Sequence, residues 1–261
     1  MINYRLYGNK PYSIVLVHGG PGALGDMGYL AETISHKVGV VEALQTKNTI
    51  EELVDELKIT IEENCTETCV LVGHSWGAWL SYILTVKHPQ LVRKLVLVGS
   101  GPFKTKYVSN LQNTRMERMS KCQKDRLNYL ISEFYKDDNG SKDSILKELG
   151  ELMEVVDTYE PLKIYDREVM IKVDDNMFKN VWDEAAKLRK SGELLEMGRG
   201  IHTPVLIIHG EYDPHPIDGV IEPLEEVLQI DKVYKIKKCG HSPWKEKFAH
   251  NEFIDIILGL I

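Results

Sequence analysis

The chain has 261 residues, is 43% hydrophobic and 27% charged, and sets 32 Lys and Arg against 39 Asp and Glu for a formal net charge of −7. That length holds one large α/β domain with an insertion and buries a core without cross-links, and the apolar fraction excludes a disordered chain. The acidic balance excludes the footprint of a nucleic-acid binder, which must neutralise phosphate charge.

Cys65, Cys69, Cys122 and Cys239 are too scattered for a disulfide framework and read as free thiols. No apolar run approaches the roughly 18 residues of a membrane helix, and Met1 to Arg5 lacks a signal-peptide core, so a cytoplasmic protein with no membrane partner is expected.

Taken in chain order, short β-branched apolar runs alternate with helical stretches, the pattern of a parallel sheet covered on both faces by crossover helices. The runs are Ser13 to Val17, Val38 to Leu44, Cys69 to Val72, Leu95 to Val98, Pro204 to Ile208 and Lys232 to Ile236. The first ends in His18-Gly19-Gly20-Pro21-Gly22. After the second, Thr49-Ile50-Glu51-Glu52 forms a capping box, and Ile50, Leu53, Leu57 and Ile61 make one apolar helical stripe.

The third run leads into Gly73-His74-Ser75-Trp76-Gly77, a G-x-S-x-G between strand and helix. In a nucleophile elbow the serine occupies a strained turn and projects its Oγ from the sheet edge. A serine hydroxyl attacks only when a base removes its proton, so a histidine and a carboxylate must follow at the ends of later strands. His209-Gly210-Glu211-Tyr212-Asp213 and Gly240-His241 stand after the last two runs, in the order Ser75, Asp213, His241. Glu211 is the rival acid, and Asp213 has an alternative role as a helix cap. The spacing of His209, His215 and His241 matches no zinc motif, so no metal is expected. Trp76 and Gly20 are the expected oxyanion donors, because the hole pairs the N–H after the nucleophile with one from a glycine turn. That turn lacks the lysine and spacing of a phosphate-binding loop, and no cofactor is expected.

The strand rhythm lapses between Pro102 and Thr203, predicting residues 1–101 and 203–261 as two parts of one core and 102–202 as a helical insertion. Charge in it is segregated: seven basic and two acidic residues over 104–126, nine acidic and three basic over 133–160. The blocks read first as solvated helix faces that pair with each other and second as a ligand surface.

Together these four motifs resemble the α/β-hydrolase superfamily, with 102–202 as its cap, and the HGGPG turn with a GxSWG elbow is most similar to the proline iminopeptidase branch. That resemblance implies a mostly parallel sheet flanked by helices, and for the branch an aminopeptidase with acidic cap residues holding the free amino group. Glu154, Asp157 and Glu160 are the acids available for this, with Gly19, His74 and Trp76 as the other expected substrate contacts. Two departures stand out. Gln45-Thr46-Lys47-Asn48 replaces the D-x-R-G-x-G-x-S-like loop of relatives, and only Tyr4 to Tyr7 is left for a strand ahead of Ser13.

The expected function is a serine hydrolase cleaving a small ester or amide through an acyl-enzyme on Ser75. An aminopeptidase is the first alternative, and a non-catalytic ligand-binding protein on the same fold the second. The expected partner is a small molecule or short peptide, and the chain is expected to be a monomer or homodimer.

Overall fold

The computed structural model describes residues 3–136, 140–163 and 172–261. Its main sheet is built from β1 (Tyr4–Tyr7), β2 (Tyr12–Val17), β4 (Gly39–Ala43), β5 (Cys69–His74), β6 (Val92–Val98), β8 (Val205–Gly210) and β9 (Ile230–Ile236). Their order across the sheet is β1-β4-β2-β5-β6-β8-β9. β1 runs antiparallel to β4 at one edge and every other pairing is parallel. All six expected runs are strands, and Tyr4 to Tyr7 supplies the seventh.

Side chains alternate across the sheet, and both faces are buried. Val15, Val17, Leu71, Leu95, Leu97 and Ile207 join one apolar cluster, whereas Ile14, Leu16, Val70, Val72, Val96 and Ile208 join the other. The first cluster is closed by α2 (Ile50–Asn64) and α3 (Trp76–Lys87), the second by α1 (Gly28–Ile34) and α10 (His250–Leu258). This double burial is why the strands read as continuous apolar runs. Thr49 caps α2 by accepting the Glu52 N–H, and its hydroxyl donates to the Glu52 carboxylate, so the expected box forms in modified form.

Between β6 and β8 the chain forms α4 (Val108–Arg118), α5 (Lys121–Phe134), α6 (Asp143–Asp157), α7 (Asp175–Ser191) and α8 (Glu193–Glu196). Helix α7 sends Met177, Val181 and Ala185 into the core beside α3, so this segment is anchored as well as helical. It also holds a feature that helical periodicity does not predict: β7 (Lys172–Val173) pairs antiparallel with β3 (Ala23–Leu24), just past the glycine turn. α9 (Asp218–Glu225) completes the frame. Because β2, β5, β8 and β9 are parallel, their carboxyl ends and the loops that leave them open on one rim.

Candidate active site

Ser75 stands at the N-cap of α3 with φ 54°, a left-handed conformation rarely adopted by a side-chain-bearing residue. Its backbone N–H still donates to the Val98 carbonyl at 2.9 Å, so the sheet ladder holds the turn while the side chain leaves it. A Cβ on Gly77 would lie 2.3 Å from the Val17 carbonyl oxygen, which is why the elbow needs glycine after the serine. A Cβ on Gly19 would fall 3.0 Å from the Ser75 Cβ, so the glycine turn passes directly against the elbow. Gly20 follows with φ 54°, and the Trp76 N–H belongs to the first turn of α3, where the helix has no acceptor of its own for it.

The turn is fixed by two residues. His18 is fully buried; its Nδ1–H donates to the Gly19 carbonyl at 2.9 Å and its Nε2 accepts the Gln45 N–H at 3.2 Å. That pattern is a neutral imidazole, in keeping with burial lowering its pKa. The Gln45 side chain donates to the His18 carbonyl at 2.9 Å and accepts from the Trp76 indole N–H at 2.7 Å. Gln45, from the loop after β4, thus ties the glycine turn to the Ser75 turn. The Trp76 indole, expected at the substrate, is buried and committed to this bond.

Asp213 and His241 meet on the same rim. Asp213 Oδ2 accepts from His241 Nδ1 at 2.8 Å, which leaves the imidazole Nε2 with its lone pair. Glu211 is exposed, and α9 has Ile217 rather than Asp213 at its N-cap. Burial alone would raise the Asp213 pKa, yet the imidazoles of His241, His215 and His209 hold it well below the usual carboxylate range. Burial likewise opposes charge on His241, but the Asp213 carboxylate outweighs it and raises the His241 pKa.

His74 bridges the two halves from behind. Its Nε2–H donates to the His241 carbonyl at 3.0 Å, and its ring lies 4.6 Å from that of His241 and edge-on to Trp244 at 4.7 Å. It is 3% exposed and burial pushes its pKa down to about 3, so this expected substrate contact is a neutral packing group instead. Glu246 is a residue the motifs do not reveal. Its buried carboxylate accepts the N–H groups of Gly240, Tyr159 and Glu160 at 2.7, 2.8 and 2.9 Å, binding the His241 loop to the end of the α6 segment.

The expected acidic contacts each lie against a cation, and Glu154 shares its cation, Lys245, with Asp26. Asp157 is buried against the Arg115 guanidinium, whose Nε donates at 2.9 Å; Glu154 meets Lys245 at 2.9 Å; Glu160 pairs with Lys247. Arg126 and Glu148, 2.5 Å apart, add a further bond between the basic and acidic blocks. Asp157 still touches the site through its backbone, whose carbonyl accepts the His241 N–H at 3.1 Å. Among the described residues, donor atoms of Asp213, His215 and His241 lie within 4.8 Å of one another, and each imidazole Nδ1 is engaged with the carboxylate between them.

Solved structures share this architecture. VinJ aligns over 98% of this chain and 93% of its own with a TM-score of 0.70 at 17% identity. A monoacylglycerol lipase of Paleococcus ferrophilus aligns over 98% and 96% with a TM-score of 0.61 at 18% identity. A structure from work on carboxylesterases of Nitrososphaera gargenis aligns over 98% and 92% with a TM-score of 0.64 at 18% identity. By sequence, Epoxide hydrolase 3 of Mus musculus is 41% identical over 54 residues, which span 21% of this chain and 14% of that protein. The family described as alpha/beta hydrolase fold matches residues 46–248, and the chain belongs to it.

Proposed function

We propose that this chain is a serine hydrolase that cleaves a small ester or amide through an acyl-enzyme on Ser75. The observation that carries the reading is the 2.8 Å bond from His241 Nδ1 to Asp213, which fixes the tautomer whose Nε2 accepts a proton, on the rim where Ser75 leaves its strained turn. In this reading His241 takes the Ser75 proton as Oγ attacks the substrate carbonyl. The Trp76 and Gly20 N–H groups hold the oxyanion, and His241 returns the proton to the leaving group. Water, deprotonated by the same imidazole, then releases the acid. Residues 102–202 act as the cap that shapes the acyl pocket.

The buried pairing of Asp157 with Arg115 favours a neutral acyl substrate over the free amine of an N-terminal peptide, because an ammonium group held by Asp157 would have to displace the guanidinium. The structural neighbours named as a monoacylglycerol lipase and as an enzyme degrading an N-acyl homoserine lactone are consistent with an acyl ester. A fluorophosphonate probe, followed by peptide mapping, tests the mechanism: Ser75 is labelled and Ser75→Ala is not. Equal labelling of the two proteins, or none of either, overturns it. Turnover of proline nitroanilide without turnover of nitrophenyl esters overturns the preference for a neutral acyl group.

A further inference from the structure

Asp213 serves two imidazoles. Its Oδ2 takes His241, while its Oδ1 accepts both the backbone N–H of His215 at 2.9 Å and the His215 Nδ1–H at 2.8 Å. The two rings stack with centroids 4.3 Å apart and planes 19° from parallel. His209, one layer below, donates its Nε2–H to the His215 carbonyl at 2.8 Å. The backbone part of this arrangement is an Asx turn between Pro214 and Pro216 and would hold with other side chains. The ring bond and the stack are specific to histidine at 215.

We propose that His215 is a positioning residue: a neutral imidazole that orients Asp213, shares its charge, and by stacking on His241 sets the pH at which His241 becomes a base. The proposal rests on the serine-hydrolase reading for its kinetic consequence, though not for the coupling itself. An N–H donated to Oδ1 draws charge from the carboxylate and weakens its hold on a protonated His241. The stacked ring also keeps water from one face of His241, which further disfavours the imidazolium. Both effects act in the same direction, opposing Asp213. His215 can do this because it is itself buried and neutral, its pKa pushed down to about 4 by burial. The other groups facing His241 are Asp213 and His209 from the β8 end, His74 from the end of β5 with Asp26 and Lys245 beyond it, Asp157 and Arg115 from the insertion, and Glu246 through Gly240. All of these remain when His215 is changed.

The test follows His241 by NMR of the imidazole nitrogens across pH, together with the pH dependence of kcat/KM on a nitrophenyl ester. His215→Ala is expected to raise the His241 midpoint and the ascending kinetic limb by about one unit, and to lower kcat about tenfold through loss of orientation. His215→Asn, which retains a side-chain donor, is expected to bring the midpoint back toward that of the unmodified protein. His215→Phe, which keeps the stacked ring and loses the donor, is expected to give a midpoint between that of His215→Ala and that of the unmodified protein. If His215→Ala does not fold, the Asn and Phe variants decide, and His241 midpoints in both equal to that of the unmodified protein overturn the proposal. An unchanged midpoint in folded His215→Ala also overturns it. A shifted NMR midpoint in a protein whose Ser75 takes no fluorophosphonate leaves the coupling standing and removes the hydrolase reading, so the two failures are separable.

Discussion

Two buried acids meet His241, and the partners of their carboxylates differ in kind. Asp213 faces imidazoles, whereas Asp157 faces the guanidinium of Arg115. A carboxylate matched by a permanent cation is electrically finished and holds elements together, here α4 to α6. A carboxylate matched by neutral rings keeps an unbalanced charge, which stabilises an imidazolium only when one forms. In the proposed mechanism the frame contributes chemistry and the 102–202 segment fixed geometry, although both acids touch His241, Asp213 at its ring and Asp157 at its backbone N–H.

The sharpest way to break this contrast is to neutralise each acid. Asp213→Asn should lower kcat on a nitrophenyl ester by about 10⁴, because the amide cannot hold the His241 Nδ1–H tautomer. Asp157→Asn should leave kcat within about threefold and instead lower unfolding free energy by about 2–3 kcal/mol in urea titrations, since it strands a partly buried guanidinium. A large kinetic loss in Asp157→Asn would erase the distinction.

Acid should act on the same contrast through stability. His18, His74 and His215 are all held below the usual histidine range, the latter two at about 3 and about 4. Below the unfolded value of about 6.5 the unfolded chain binds protons that the folded chain refuses, so stability falls as pH drops toward those values. His241 shifts the other way, and its contribution is already complete below about 6.5. Stability should therefore decline between about pH 6.5 and 5, by an amount on the order of 2 kcal/mol for each of these histidines, read as a falling thermal midpoint. His74→Gln, which keeps a donor for the His241 carbonyl, should flatten that decline.

The smallest effect is expected at Gln45. Gln45→Ala removes the link between turn and elbow, costing about 1–2 kcal/mol in stability and about tenfold in kcat as the oxyanion donors lose alignment. A variant that loses stability with kcat intact would make Gln45 a structural tie alone.

What could be read in advance follows from range. The strand ends carry their motifs within a few residues, so the elbow, the glycine turn, Asp213 and His241 are visible as local patterns, and parallel strands bring them to one rim. Thr49 and the α2 stripe are local in the same way. His215 sits in a short Asp-Pro-His-Pro stretch whose meaning depends on the stack with His241, and Gln45 acts on His18 and Trp76 from a distant loop. Neither has a periodicity or spacing to announce it. The pairing of the basic and acidic blocks, plain in the sequence, is met by Arg115 with Asp157 and Arg126 with Glu148, whereas Lys245 and Lys247 reach Glu154 and Glu160 from a distant segment. Charge counting alone therefore could not distinguish a paired face from a binding one. The β3 and β7 pairing is only two residues long on each side, too short for any alternation to register.

The account stands on Ser75, His241 and Asp213 acting as one unit, and the most direct measurement is the second-order rate of fluorophosphonate labelling at Ser75 in His241→Ala, Asp213→Ala and the double variant. The account predicts a loss of about 10³ or more in His241→Ala, and a double variant no slower than that single one, because the carboxylate works only through the imidazole. Losses that multiply in the double variant, or Asp213→Ala labelled as fast as the unmodified protein, would contradict it.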